Sequence, residues 1–400
     1  MHFRVPSRAF VNIWLRRVGV LLGIVVIFFA GVEVGNGRIY NGMFAKTQSG
    51  LPAKLDYASV NQIYQLVRSQ YDGKLTETQL LDGIKTGLVN SLNDPYSEYF
   101  TPSEASQYND EVQGSFSGIG AELGQTQTGA VQIIAPISGS PAAKAGVQAG
   151  DIITAINGKS TNGMSADTAV NAIRGKSGTK VTLTITRGAQ TNVQLTITRA
   201  NIVVPSVTSK ILPGNIGYMQ ISQFTDDTAS LASAAAQSFA NAHVRGVVLD
   251  LRDNPGGLVD AAVSVSSLWL NSGQNIMQAK AGSTVLQTYT ATGGDTLHDI
   301  PTVVLVNSGT ASAAEITAAA LHDNKDATIL GEKTYGKGVM QQLDTLPGGA
   351  ELKVTIASWY RPNGKNINHL GITPDKIVAA SPAGSTDDAQ EAAAIALLTK

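Results

Sequence analysis

TVVLVNSGTASAAEITAAAL, residues Thr302 to Leu321, runs an apolar β-type segment into a turn of small residues and then into an Ala-rich helix. The same unit recurs on either side. Ile216 to Ile221 reads as a strand and Asp226 to Ala242 as a helix. Val247 to Leu251 reads as a buried strand, followed by the loop RDNPGG and a helix from Leu258. Ala327 to Leu330 and Glu351 to Trp359 are further strands, and Asp387 to Leu398 is a terminal helix. Strand and helix in alternation predict a layered α/β core from residue 201 to 380, with a helical tail from 381 to 400.

Upstream the pattern changes. Residues 55 to 113 read as helical, with Val60, Ile63, Leu66 and Val67, then Leu80, Leu81, Ile84 and Leu88, at helical spacing. Asp94-Pro95 stops the second helix, and Ser103 reads as the N-cap of a third. Residues 114 to 200 hold short β-type runs between turns: Val131 to Ile134, Ile152 to Ile156, Val181 to Thr186 and Val193 to Thr198. A helix is expected near Ala166 to Ile173.

The N-terminus carries Arg4, Arg8, Arg16 and Arg17 before the uncharged stretch Val18 to Val32. Basic before apolar keeps the start in the cytoplasm and sends the remainder across. Residues 1 to 35 therefore read as a single-pass anchor and 36 to 54 as a polar, Gly-bearing tether, with the bulk of the chain extracytoplasmic. A cleaved signal peptide, giving a secreted or periplasmic protein, is the rival reading. No convincing A-x-A cleavage site follows Phe29.

Composition narrows the chemistry. The 400 residues carry a net charge of −1, which gives no nucleic-acid footprint. Charged residues are 15 % and glycines number 41, a profile of a turn-rich globular chain and not of a disordered one. The absence of cysteine excludes disulfides, thiolate metal sites and a thiol nucleophile. No HExxH or paired-His cluster signals a metal.

Ser312 stands where a strand gives way to a helix, beside free backbone N–H groups and the positive end of the helix dipole. Those donors suit an oxyanion. An ordinary N-cap is the bland reading of the same serine. Lys337 lies between Gly336 and Gly338 in GEKTYGKGVMQQ, Gly331 to Gln342. It can activate a hydroxyl only when neutral, which asks for a pKa brought from about 10.4 to about 7–8, roughly 4 kcal/mol against the ammonium. Burial beside Val339 and Met340 is a means to that end. Gln341, four residues on, is placed to orient the amine without adding charge. Gly256 and Gly257 in LDLRDNPGGL, Leu249 to Leu258, offer exposed N–H groups after a strand. Glu315, one turn after Ser312, reads as structural. His243, His298, His322 and His369 leave a Ser–His–Asp triad open, although none lies in a Gly-rich or strand-end motif.

The segments LNDPYSEYF, GSFSGIGAEL, SPAAKAGVQAGDIITAINGKS, GYMQISQF, LDLRDNPGGL, NSGTASAAEI, GEKTYGKGVMQ and GITPD, in that order from Leu55 to Val378, resemble the carboxyl-terminal processing peptidases, or tail-specific proteases. The resemblance implies a crotonase- and ClpP-like peptidase core with an inserted PDZ domain and an N-terminal helical cap. It implies a nucleophile at Ser312, a general base at Lys337 and a supporting Gln341, with oxyanion donors on the backbones of Gly257 and Ala313. No metal or organic cofactor is expected. Partners would be proteins with accessible C-termini and, through the N-terminal segment, a membrane; nucleic acid is not expected, and a homo-oligomer is left open.

Residues 114 to 200 resemble a PDZ domain. Its loop Ser117, Gly118, Ile119 and Gly120 would aim N–H groups at a terminal carboxylate, and the strand Ala121 to Leu123 would accept an extended peptide by β-augmentation. Arg174 is expected to couple this module to the core. Two rivals stand beside this reading. One is a PDZ-bearing membrane adaptor with a weak or inactive hydrolase core. The other, an acyl-CoA enzyme on the related crotonase fold, is disfavoured by the exported location.

Overall fold

The computed structural model describes residues 54, 56–382, 385 and 387–399. The basic start, the apolar stretch 18–32 and nearly all of the tether lie outside the described residues. Among the described residues no helix is long and apolar enough to cross a membrane. The chain divides into two compact units, Met1–Thr76 and Glu77–Lys400. The described part of the first is built on helix α1 (Ala58–Gln70).

The second unit opens with α2 (Glu77–Asn90), a short strand β1 (Glu98–Phe100) and α3 (Pro102–Val112). The cap of α3 is Thr101, not Ser103. Thr101 Oγ1 accepts from Glu104 N, the Glu104 carboxylate accepts from Thr101 N at 2.8 Å, and Pro102 fills the first helical position, where no N–H is needed. Nor is the segment helical throughout, because β1 interrupts it.

A β-rich module follows: β2 (Ser115–Gly118), β3 (Ala121–Gln125), β4 (Val131–Pro136), α4 (Pro141–Lys144), β5 (Ile152–Ile156), β6 (Lys159–Ser160), α5 (Ala166–Ile173), β7 (Lys180–Arg187), β8 (Gln190–Thr198) and β9 (Ala200–Val203). Its main sheet runs β3-β4-β5-β7-β8, with β6 on β5, while β2 pairs with β9. On β7 the apolar residues Val181, Leu183 and Ile185 alternate inward with period two. They meet Ile133, Ile153, Ala169 and Ile173 in a core of the module's own.

The remainder is the α/β layer: β10 (Val207–Leu212), β11 (Ile216–Ile221), α6 (Thr228–Asn241), β12 (Gly246–Asp250), α7 (Val259–Ser266), β13 (Asn275–Ala281), β14 (Thr284–Thr290), β15 (Thr302–Val306), α8 (Ala313–Asp323), β16 (Ala327–Gly331), β17 (Val339–Thr345), β18 (Glu351–Tyr360), β19 (Lys376–Ile377) and α9 (Ala389–Leu398). The central sheet has the order β10-β11-β12-β15-β16-β19 and is parallel apart from β10. Both faces are covered, so β12 and β15 are buried at every position, without alternation. Leu249, Val304 and Val306 pack with α6, α7 and α8, while Val248, Val303 and Leu305 pack with α9. Gly217 has no Cβ because one would stand 2.8 Å from the Phe239 ring, which seats α6 on the sheet.

A second sheet, β1-β18-β13-β14 with β17 on β18, closes over the layer. Its Ile276, Met277 and Trp359 join the core that holds Ala314 and Ala318 of α8. Residues Ala313 to Leu321 are consequently all buried, and their small side chains suit a helix packed on every side. Arg252 ties the tail to the layer: it pairs with Asp250 and Asp388 and donates to Gln390 Oε1 at 3.0 Å.

Candidate active site

The loop between β15 and α8 is held from one side by the LDLRDNPGGL segment. Asn307 Oδ1 accepts from Asp253 N at 2.9 Å, Thr310 Oγ1 donates to Leu251 O at 2.7 Å, and Ala311 N donates to Asn254 O at 2.9 Å. Asn254 in turn donates to Ile221 O and accepts from Gly256 N. Gly256 therefore lies against the serine: a Cβ there would come within 2.6 Å of Ser312 Cβ and 2.9 Å of Ala313 N. Gly257, at φ +135°, bridges to Phe224, and a Cβ would meet the Phe224 carbonyl. Both positions need glycine for close approach. The N–H groups of Gly257 and Ala313 thus belong to two segments that converge on Ser312.

Ser312 itself has φ 52° and ψ −118°. A non-glycine residue in that region carries roughly 1–3 kcal/mol of strain, which the surroundings must hold in place. What holds it is Glu315. This fully buried carboxylate accepts from Ser312 N at 3.0 Å and Lys337 N at 2.9 Å through the same oxygen. Its other oxygen accepts from Gly336 N at 2.8 Å and from the Thr334 hydroxyl. The two backbones are no further apart than two hydrogen bonds meeting at one oxygen. Burial raises the Glu315 pKa, and the four donors oppose that rise. The structural role expected of Glu315 is that of a hub between two loops. A Glu three residues after a helix-opening serine was the available signal.

Lys337 is half-buried, and burial is the main cause that depresses its pKa below the usual lysine value. The nearby cation of Lys353 acts in the same direction, and Asp94 acts against both. The Trp359 indole donates to Lys337 O at 2.9 Å and fixes the backbone. The loop needs its flanking glycines, since a Cβ on Gly336 would stand 2.6 Å from Gly371 N and one on Gly338 would stand 2.5 Å from Asn368 N. Gln341 does not bond the amine; its Nε2 donates to Thr355 Oγ1 at 3.1 Å. A register shift between Met340 and Gln341 breaks the simple strand alternation from Lys337 to Gln341. Of the histidines, His322 bonds Asp323 and Asp375, and His298 bonds the Trp269 carbonyl. Among the described residues no acidic or His cluster could hold a metal ion.

In the β-rich module, Ser117 and Gly118 are the end of β2, while Ile119 and Gly120 form the turn into β3. The turn is pinned by Ala142 N on Ile119 O, and by Ile137 N and Ser140 Oγ on Gly120 O. Gly120, at φ +73°, leaves no room for a Cβ, which would stand 2.5 Å from Ser140 Cβ. Strand β3 ends its sheet, so one of its edges is without a partner strand in that sheet. Arg174 pairs with Glu111 of α3 at 2.9 Å and lies over the Phe116 ring. It borders a cleft of about 260 Å³ together with Ser222 and Thr225 of the α/β layer.

Three family profiles match the chain: the activating protease CtpB N-terminal domain over residues 30–103, a PDZ domain over 132–187 and peptidase family S41 over 215–378. The carboxy-terminal processing protease CtpA of Bacillus subtilis is 40 % identical over 340 residues, 85 % of this chain and 72 % of that protein. The carboxy-terminal-processing protease of Bartonella bacilliformis is 36 % identical over 88 % of this chain and 82 % of its own. Among solved structures, the photosystem II D1 C-terminal processing protease superposes with a TM-score of 0.53 at 29 % identity, covering 91 % of this chain and 93 % of that one. A putative S41 protease from Bacteroides fragilis shares the fold, with a TM-score of 0.56 at 18 % identity over 87 % of this chain and 99 % of that one.

Proposed function

The chain belongs to the carboxy-terminal processing serine proteases of peptidase family S41 and carries a PDZ domain, and from that premise we propose that it captures protein C-termini and cuts near them with a Ser312–Lys337 dyad. Ser312 Oγ attacks the scissile carbonyl while neutral Lys337 takes its proton; the lysine then protonates the leaving amine, and water releases the acyl group. The N–H groups of Gly257 and Ala313 receive the oxyanion. Gln341, whose amide donates to Thr355, is proposed as the residue that supports Lys337. The observation that carries this reading is the single Glu315 oxygen shared by Ser312 N and Lys337 N. The chemistry needs no metal or organic cofactor. Residues 114–200 are proposed as the tail-reading unit and 201–380 as the cutting unit, with the N-terminal segment as a membrane anchor that leaves both outside the cytoplasm.

The loop Ser117–Gly120 is proposed to receive the terminal carboxylate and the edge of β3 the peptide strand. The test uses the full chain and an unstructured protein with an apolar C-terminus, offered with a free or an amidated end. Cleavage should occur with the free end, and amidation should raise KM at least tenfold. Equal cleavage of both would sink tail recognition, and binding without cleavage would favour the adaptor reading.

Arg174 is proposed to couple the PDZ unit to the core. Its ion pair with Glu111 is solvent-exposed, so Arg174→Ala should change stability by less than about 1 kcal/mol. The same variant should lose the difference between free and amidated tails. An unchanged cleavage rate together with an unchanged tail dependence would end that proposal.

A further inference from the structure

The turn DPYS, Asp94–Ser97, lies far from Lys337 in sequence and beside it in space. Asp94 organises the turn, accepting from Tyr96 N at 3.2 Å and from Ser97 Oγ at 2.6 Å. The turn is fastened to β18, where Thr355 N donates to Ser97 Oγ at 3.0 Å. Thr355 is also the residue that takes the Gln341 amide. Tyr96 is carried by this turn, its side chain hydrogen-bonds Tyr335, and the Lys337 Nζ lies 5.0 Å from the centre of its ring. Among the described residues no hydrogen bond joins Lys337 Nζ to Ser312 Oγ. The Lys337 Nζ is on the aromatic face and not on the hydroxyl.

Resting on the dyad reading, we infer that Tyr96 is a positioning residue for the general base: its ring face receives the Lys337 ammonium and holds it back from Ser312. An aromatic face attracts a cation and has no comparable attraction for a neutral amine. The ring therefore favours the protonated, waiting lysine. Taking up the serine proton requires the amine to leave the ring. The other charged or titratable neighbours of Lys337 are Asp94 from the same turn, Lys353 from β18, Tyr335 from its own loop and Glu315 beneath its backbone. Lys353 is itself held by Glu98 at 3.0 Å and by the rings of Phe100 and Tyr108. Of these, Tyr335 hydrogen-bonds the Tyr96 side chain and loses that partner in Tyr96→Phe and Tyr96→Leu alike, so the phenylalanine variant is the control for it.

The experiment compares the full chain with Tyr96→Phe and Tyr96→Leu. Two readouts are followed against pH: the acid limb of kcat/KM, and the rate at which acetic anhydride labels Lys337, resolved by peptide mass spectrometry in a Ser312→Ala background. Tyr96→Phe keeps the ring and should leave both midpoints in place. Tyr96→Leu keeps apolar cover and loses the ring, and both midpoints should fall by about 0.4–1.5 pH units. Should the Leu variant fail to fold, Tyr96→Met serves the same readouts. An unmoved labelling midpoint in the ring-less variant, or an equal shift in Tyr96→Phe, overturns the inference. A labelling midpoint that falls while the kcat/KM limb stays put would support the ring contact and instead overturn Lys337 as the base.

Discussion

Lys337→Arg should be as inactive as Lys337→Ala and Ser312→Ala, each losing at least about 10⁴-fold in kcat with the fold intact. The arginine variant is the more telling of the three. It keeps a cation over Tyr96 and a long side chain in the same loop, but a guanidinium has no accessible neutral form at working pH. A lysine that merely bound substrate through its charge would survive the exchange in part. The wild type should gain kcat/KM as pH rises through the Lys337 pKa. The sign follows from the role, since the base works only after losing its proton. The midpoint should lie below the ordinary lysine value, because burial and the Lys353 cation both disfavour the ammonium. Clear cleavage by Lys337→Arg, measured by release of a C-terminal fragment, would remove Lys337 from the chemistry.

The layer was legible because its strands are buried on both faces. Val247 to Leu251 and Thr302 to Val306 carry no polar alternation, and each is followed by a turn and a helix, so type and order could be read locally. The second sheet was harder. Asn275–Ala281, Thr284–Thr290 and Val339–Thr345 are half-buried or exposed at most positions and mix polar with apolar residues, and what makes them strands is their pairing within the sheet. Their registers are shifted as well, which spoils a period-two reading. Ser312 and Lys337 were visible as glycine-flanked or turn-borne groups. Tyr96 was not, because a tyrosine in a polar turn shows nothing until the fold carries it to residue 337. Arg252 shows the same limit: it lies in a motif read for its glycines, and its partners Asp388 and Gln390 are the N-cap and a first-turn residue of the last helix.

Glu315→Gln should impair the enzyme through alignment as well as stability. The carboxylate divides its work, with one oxygen taking Gly336 N and the Thr334 hydroxyl and the other taking Ser312 N and Lys337 N. Glutamine offers one acceptor and one donor amide: turned toward Ser312 N and Lys337 N its N–H strands both, and turned the other way it strands Gly336 N, while the Thr334 hydroxyl can rotate to accept. Each buried donor left without an acceptor costs about 1–3 kcal/mol. The amide also relieves the desolvation that burial imposes on the charged group, so the net loss should stay near 2–4 kcal/mol. Glu315→Ala gains the same relief but strands all four donors and should lose more. If the amide faces Ser312 and Lys337, the strained serine is freed and the lysine loop swings outward, and kcat should drop by 10²-fold or more while KM changes little. Thermal unfolding and kcat are to be read on the same samples. A Glu315→Gln protein with a lowered melting temperature and wild-type kcat would show that the carboxylate only glues two loops together. A joint loss, with KM preserved, would show that it sets the distance across which Ser312 and Lys337 must work.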